Sequence, residues 1–304
     1  MASSLIPALT VITPVADTSP TPVTDGEQGG LLRALTEIPD PRDPRGVRYP
    51  LAGLLTVAVC AVLAGASSFA AITDWLHDLD DSARARLGFG RGVPATTTMW
   101  RLLIRLDAEL LSTVLAGWLR TRTRHSDRHR RPRYRQVIAV DGKTLRGARR
   151  ADGGQVHLLS ALDTSTGIVL AQVTVSAKSN EIPAFTPLLD AVEQVLGSLK
   201  DLIFVADALH TQTGHANEIA ARGAHLLIPV KANRPRLFAQ LKTLPWAQIP
   251  IGHQTRDRGH GRRETRSVKA VTVNTPGGIG FPHAEQAIRI TRTRTITRNG
   301  KTTR

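Results

Sequence analysis

Apolar residues fall into two regimes along the chain. Up to about residue 120 they recur at helical spacing, and from Val137 onward they come in short β-branched runs bounded by polar residues. The first regime predicts helices over Leu31–Ile38, over the uncharged stretch Leu51–Ile72, and over Thr98–Leu119, where Leu102, Leu103, Leu106, Leu110 and Leu111 line one face. Pro39, Pro41 and Pro44 break the chain between the first two. The second regime predicts strands at Val137–Asp141, Gln155–Asp163 and Ile168–Val175, the last two joined by a turn at Thr166-Gly167, as an antiparallel meander. A helix over Ile182–Leu196 follows, with Phe185, Leu188, Leu189, Val192 and Leu196 on one face and Pro183 tolerated in its first turn. Then come a strand from Leu202 to Ala206, a helix over Thr213–Ala221, and a strand over Leu226–Val230 that ends at Lys231.

These elements divide the chain into a flexible Thr-, Pro-, Ser- and Gly-rich tail over 1–28, a helical domain over 29–120, a basic linker over 121–136, and an α/β domain over 137–304. Leu51–Ile72 is long enough to span a bilayer, but its interior of Ala, Gly, Val and Ser favours a buried helix or a tight helical pair. With no basic n-region and apolar stretch at the start, the expected location is cytoplasmic and nucleoid-associated, with no membrane partner.

Charge narrows the function. The 304 residues carry 40 Lys and Arg against 25 Asp and Glu, a formal +15, which points to a polyanion such as nucleic acid as partner. A merely solvated arginine-rich surface is the plainer explanation of the same numbers. The single cysteine, Cys60, lies in an apolar run and argues against a disulfide scaffold or a thiolate metal site.

Two strands deliver an aspartate each, Asp141 after Val137–Val140 and Asp207 after Leu202–Ala206. The order strand, strand, strand, helix, strand, helix, strand is that of a ribonuclease H-like mixed sheet with flanking helices, in which the first and fourth strands are neighbours. Two carboxylates brought together there suit Mg²⁺ or Mn²⁺, hard cations able to activate a nucleophile and stabilise the leaving oxygen of a phosphodiester. The competing explanation is structural, since an aspartate after a strand is often a turn-former, particularly before Gly142.

Longer motifs then carry a resemblance. The chain has Ile38-Pro39-Asp40-Pro41-Arg42, Tyr49-Pro50-Leu51 and Val59–Ala66 in its helical part, and Ala139-Val140-Asp141-Gly142-Lys143 with Arg146-Gly147 in its core. His157-Leu158-Leu159-Ser160-Ala161, Lys178-Ser179-Asn180-Glu181-Ile182-Pro183, Asp207–Gln212, Lys231-Ala232-Asn233 and His260-Gly261-Arg262 with Glu264 and Arg266 follow. From about Leu31 on it resembles the H-repeat-associated family of bacterial insertion-sequence transposases, of the DDE class. The resemblance implies metal-dependent cleavage and strand transfer at insertion-sequence ends, with Asp141 and Asp207 as catalytic, metal-binding carboxylates. It implies Mg²⁺ or Mn²⁺ as cofactor, the terminal inverted repeats of double-stranded DNA as partner, and a homodimer as candidate assembly.

The family's third carboxylate, a glutamate in a tryptophan, any residue, isoleucine, glutamate, asparagine pattern, has no counterpart here, and the chain is expected to be carboxy-truncated relative to a full-length transposase. Glu264, in a charged loop entering a strand, is the one substitute, although pairing with neighbouring arginines is its simpler role. Lys143, Arg146, His210, Lys231 and Arg262 are candidate DNA contacts; a structural salt bridge is the equal alternative for Lys143 and Arg146, His210 and Gln212 each either touch DNA or cap the next helix, and His260 is a surface histidine or a phosphate contact. Asn180 and Glu181 are expected as the N-cap and first turn of the helix over Ile182–Leu196. A ribonuclease H-like nuclease and a catalytically inactive DNA-binding remnant are the rival functions.

Overall fold

The computed structural model describes residues 25–126, 135–149, 153–176, 180–259, 262–273, 278–298 and 301–303. Two compact units meet in sequence at Val205 and Ala206.

Among its described residues the first unit begins with six α-helices: α1 (Asp25–Leu35), α2 (Leu51–Leu63), α3 (Phe69–His77), α4 (Asp81–Arg86), α5 (Thr96–Leu103) and α6 (Ala108–Ser126). Leu31, Leu35, Leu54, Leu55, Leu76, Phe89, Met99 and Leu102 form their fully buried centre. Helix α1 begins inside the expected tail, where Glu27 and Gln28 are good helix formers; residues 1–24 of that tail lie outside the described residues. The uncharged stretch is a helical pair. Gly65, at φ +102°, turns the chain after α2, and the Ser68 hydroxyl caps α3 by accepting from the Ala71 N–H at 3.1 Å. Among the described residues no helix is long and apolar enough to cross a membrane.

The leucine-lined stretch over Thr98–Leu119 is likewise two helices. Asp107 accepts from the N–H groups of Glu109 and Leu110, both at 3.0 Å, and so starts α6 afresh. That helix continues to Ser126, so residues 121–126 of the expected linker are helical, while 127–134 lie outside the described residues.

The proline-rich break ties this unit together. Arg42 donates to both oxygens of Asp40 (2.8 and 2.6 Å) and to the Tyr49 carbonyl (2.8 Å), and the Tyr49 hydroxyl donates to the Val93 carbonyl at 3.2 Å. The Arg42 hydrogen bond holds the Asp40 carboxyl below its usual pKa. A carboxyl depressed on folding contributes stability above its unfolded pKa and loses it as pH falls through the folded one. Arg42→Ala is therefore expected to lower unfolding free energy by about 1–2 kcal/mol at neutral pH. The gap to the unsubstituted protein should narrow in the acid range below the usual carboxylate pKa, as read from urea titrations at a series of pH values.

After the helices come β1 (Val137–Arg149), β2 (Gln155–Asp163), β3 (Ile168–Thr174), α7 (Phe185–Leu196) and β4 (Ile203–Val205), with strand order β3-β2-β1-β4. Strands β1, β2 and β3 pair antiparallel in sequence as the expected meander, and β4 pairs parallel with β1. Helix α7 packs on β2 and β3, and α6 on β3. Ile138, Val140, Leu159 and Ala161 are buried from the strands, and Phe185, Leu188, Leu189 and Val192 from α7. The helical region is thus followed by a mixed sheet with flanking helices. Helix α7 starts three residues later than expected: the Asn180 carboxamide accepts from the Ile182 N–H (3.1 Å) in a turn that precedes the helix, so Asn180 and Glu181 are not its cap and first turn.

The second unit holds a 3-10 turn (Ala208–His210), α8 (Thr213–Ala221), β5 (His225–Leu227), α9 (Pro235–Thr243), and the strands β6 (His253–Gly259), β7 (Arg262–Thr272), β8 (Gln286–Arg298) and β9 (Lys301–Thr303). Those four strands form one sheet in sequence order, antiparallel throughout. Its small core is Trp246, Val273 and Ala287, with the Trp246 ring N–H donating to the Leu241 carbonyl at 2.7 Å.

Candidate carboxylate site

Asp141 lies within β1, not at its end. The strand continues to Arg149 because Gly142–Leu145 find partners in Leu159–Val156 of β2, so Lys143 and Arg146 are strand residues rather than loop residues. Along β1 Ile138 and Val140 are buried, whereas Asp141 is exposed, the alternation expected of a strand with one face on the core. Lys143 is exposed beside Thr144, Leu145 and Gln155, with which it lines a shallow pocket. The side chain of Arg146 lies outside the described ones.

Immediately after Asp141, Gly142 makes room for a side chain from elsewhere. The Glu181 carboxylate occupies the space in which a Cβ at Gly142 would stand. Glu181 Oε1 lies 2.9 Å from His157 Nε2, and His157 Nδ1 lies 3.1 Å from the Thr144 hydroxyl. A carboxylate, an imidazole and a hydroxyl thus run across β1 and β2 on the face opposite that of Asp141. Gly142→Ala should drive Glu181 off His157 and cost about 1–3 kcal/mol. Thermal melts should show Glu181→Asp restoring part of that loss in the Gly142→Ala background, and equal losses in both backgrounds would contradict the contact.

Asp207 is exposed and opens the 3-10 turn, its Oδ1 accepting from the Leu209 N–H at 2.8 Å. Its turn-forming role is therefore real, and it occupies one carboxylate oxygen. Asp163 shows the same role carried to completion: buried, it accepts from the Gln136 amide, the Ser165 N–H and the Ser165 hydroxyl at 2.8, 2.9 and 2.6 Å. His210 is 1% exposed, its ring centroid 5.2 Å from that of His215, so it offers no surface to a DNA backbone.

Lys231 is exposed but does not end a strand. Pro229 has no N–H to continue the ladder, β5 stops at Leu227, and Lys231 sits in the turn before α9. That turn is fastened to the Asp207 segment by the Thr211 hydroxyl on the Pro229 carbonyl (3.2 Å), the Asn233 amide on the Ala208 carbonyl (3.2 Å), and the Arg234 guanidinium on the Gln212 side-chain carbonyl. Gln212 stands at the N-cap position of α8, but its side chain makes no cap bond there: its carbonyl holds Arg234 while its amide donates to the Leu209 carbonyl at 2.9 Å.

Glu264 lies inside β7 rather than in a loop, because Arg263–Thr272 pair with β8 along their whole length. Its Oε1 accepts from Arg266 at 2.7 Å, and its Oε2 from Arg292 at 2.5 Å and Arg294 at 3.1 Å. Three guanidiniums on a carboxylate that is 11% exposed match the expected arginine pairing and leave it engaged on both oxygens. Arg262 begins β7 with its side chain outside the described ones, and His260 lies outside them altogether. Among the described residues no three His, Cys, Asp or Glu side chains are grouped to hold a metal ion.

Residues 132–298 match the transposase DDE domain family, and residues 32–119 match the domain associated with it. The chain belongs to the DDE transposases. Its relatives include two proteins named putative transposase YncI, one from Escherichia coli O157:H7 and one from Escherichia coli strain K12, each 30% identical over 78% of this chain. The H repeat-associated putative transposase YbfD of Escherichia coli strain K12 is 28% identical over 78% of this chain and 91% of its own. The chain spans 59% of the first YncI and 93% of the second.

Several residues of the family motifs have physical partners in the structure. His157 and Glu181 bind each other beside Gly142, Arg42 binds Asp40, and Asn233 binds the backbone after Asp207. Arg234, Arg292 and Arg294 carried no such signal in the sequence, since their partners lie 22 to 30 residues away.

Proposed function

We propose that this transposase acts in DNA transposition through a ribonuclease H-like core, cleaving and joining phosphodiesters at the inverted repeats of an insertion element, with Asp141 and Asp207 as its metal-binding carboxylates. The observation that carries the reading is the parallel pairing of β1 with β4. Its last partners are Ala139 and Val205, and each aspartate stands two residues further along its own segment. The strand order β3-β2-β1-β4 supports the same core.

Two exposed carboxylates fit Mg²⁺ or Mn²⁺ in donor chemistry, though in number they fall short of a complete ligand set among the described residues. Bound divalent ions would activate the attacking oxygen and stabilise the leaving one. The chain's own residues contribute position and charge. Leu209 N–H fixes one oxygen of Asp207, leaving its orientation set before any ligand arrives. Lys143, Arg146, Lys231 and Arg262 supply positive charge for phosphates, with Lys231 held in place by the three bonds to the 208–212 segment.

A second reading, DNA binding without cleavage, is favoured by the engagement of both Glu264 oxygens, which removes the one substitute for a third carboxylate. The two readings separate when the full chain is incubated with Mg²⁺ or Mn²⁺ and a labelled duplex carrying the element's terminal repeat. Metal-dependent strand nicking supports the transposase reading. Retention of the duplex with no nicking in either metal rejects it in favour of the second.

A further inference from the structure

We infer that one face of the β6–β8 sheet, the face bearing Arg256, Arg258 and Arg263, is a docking surface for the phosphate backbone of duplex DNA. The inference deepens the proposed DNA function and rests on it for the identity of the polyanion. Directly opposed residues of an antiparallel ladder share a face, so register sorts the side chains of these strands into two sets. Asp257 opposes Glu264, which opposes Arg294, and Arg266 opposes Arg292; these lie on one face. Both acidic residues of the three strands are on that face, and Glu264 there binds three of its arginines.

The other face has a different chemistry. Arg256 opposes Thr265, which opposes Thr293, and Arg258 opposes Arg263, which opposes Thr295. The three arginines are exposed, and Thr265, Thr293 and Thr295 stand beside them on the same face. Among the described residues of β6, β7 and β8 this face carries no Asp or Glu. At its far end Lys269 donates to the Trp246 carbonyl at 2.6 Å, where the small core closes it off. Guanidiniums and hydroxyls set in a row, without a carboxylate to neutralise them, are the donor set by which proteins hold phosphate oxygens irrespective of sequence. An acidic peptide would want apolar anchors as well, and the large exposed apolar residues among the described side chains of this sheet, Ile288 and Ile290, alternate onto the opposite face with Arg292 and Arg294.

The test uses the full chain and a labelled duplex of arbitrary sequence, with binding followed by fluorescence anisotropy across a salt series. Arg256→Gln/Arg258→Gln/Arg263→Gln should weaken binding at least about tenfold at moderate salt and reduce the slope of log K against log salt by about 2 to 3, near 0.9 for each lost phosphate contact. Arg292→Gln/Arg294→Gln, on the Glu264 face, should leave the slope unchanged, and thermal melts show that each variant folds. An unaltered slope in the triple variant overturns the inference, as does a triple variant that changes oligomeric state in sedimentation while binding DNA normally. If the protein nicks element ends yet the slope holds, this docking face is wrong and the transposase reading stands; if the slope falls and nicking is absent, the reverse is true.

Discussion

Gly53→Ala is expected to lower unfolding free energy by about 3 kcal/mol, the upper end of what overpacking a core costs. Gly53 is buried in α2, and a Cβ there would overlap the Leu87 carbonyl oxygen, with the Leu87 carbonyl carbon at 3.2 Å and the Pro50 ring at 3.3 Å. The obstacle is backbone, so no rotamer change relieves it. Nor can the Leu87 segment retreat easily: its N–H is bonded to the Ala83 carbonyl at 3.2 Å, and the next residue, Gly88, already takes φ +86° with the ring of the same proline filling the space a Cβ would need. Gly117 in α6 provides the contrast, since a Cβ there meets nothing within 4 Å. Gly117→Ala should stabilise the protein by about 0.5–1 kcal/mol through helix propensity alone. Urea midpoints that moved equally for the two substitutions would mean that α2 and the Leu87 turn are not in contact.

The second large effect is chemical. Asp141→Asn should reduce metal-dependent nicking of element ends by at least about 100-fold, because even residues one shell outside a metal's ligands cost about 10–100-fold. Thermal melts should show that the variant still folds, since Asp141 is exposed and sits on a strand whose ladder bonds are made by backbone. Glu264→Gln is the discriminating partner experiment. It should lower stability by loosening three arginines while leaving nicking as it was. A Glu264→Gln variant that melts normally but no longer nicks would make Glu264 the missing ligand after all.

Sequence pattern located most of the first sheet because its strands carry their burial in their alternation. Strand β2 and helix α8 have the bounds expected of them, Gln155–Asp163 and Thr213–Ala221, each a clean apolar period between turn-forming residues. Failures occurred where a partner distant in sequence decided the outcome. Gly142-Lys143-Thr144-Leu145 has no strand signal of its own and is extended because β2 lies opposite it. The break before α6 did have a local sign, Asp107, which the leucine periodicity obscured. Of the β6–β9 sheet only the later part of β7 was legible, as the strand entered after Glu264; β6, β8 and β9 were not, because alternation of arginine with threonine carries no contrast in hydropathy and a solvated sheet and a charged loop look alike.

At the site, Asp141 and Asp207 were legible as exposed carboxylates following buried runs. The imidazole–carboxylate pair beside Gly142 was visible only as family likeness, because a hydrogen bond spanning 24 residues leaves no trace in periodicity. His210 was misplaced for the opposite reason. A polar residue three positions after an aspartate was taken for surface, and the turn that Asp207 caps folds it inward.

The uneven pairing of β1 sets a gradient of local stability through the strand. Parallel pairing with β4 covers Val137 to Ala139, whereas antiparallel pairing with β2 runs on to Arg149, with an irregularity between Leu145 and Arg149. Local opening costs least where few buried contacts must be broken, so amide hydrogen exchange should be slowest around Ile138 and Val140 and quicken steadily through Lys143 toward Arg149. Asp141 lies at the knee of that gradient. Its carboxylate stands two residues past the last pair that β1 makes with β4, so an exchange gradient of this shape would put it between the doubly paired part of the strand and the part held by β2 alone.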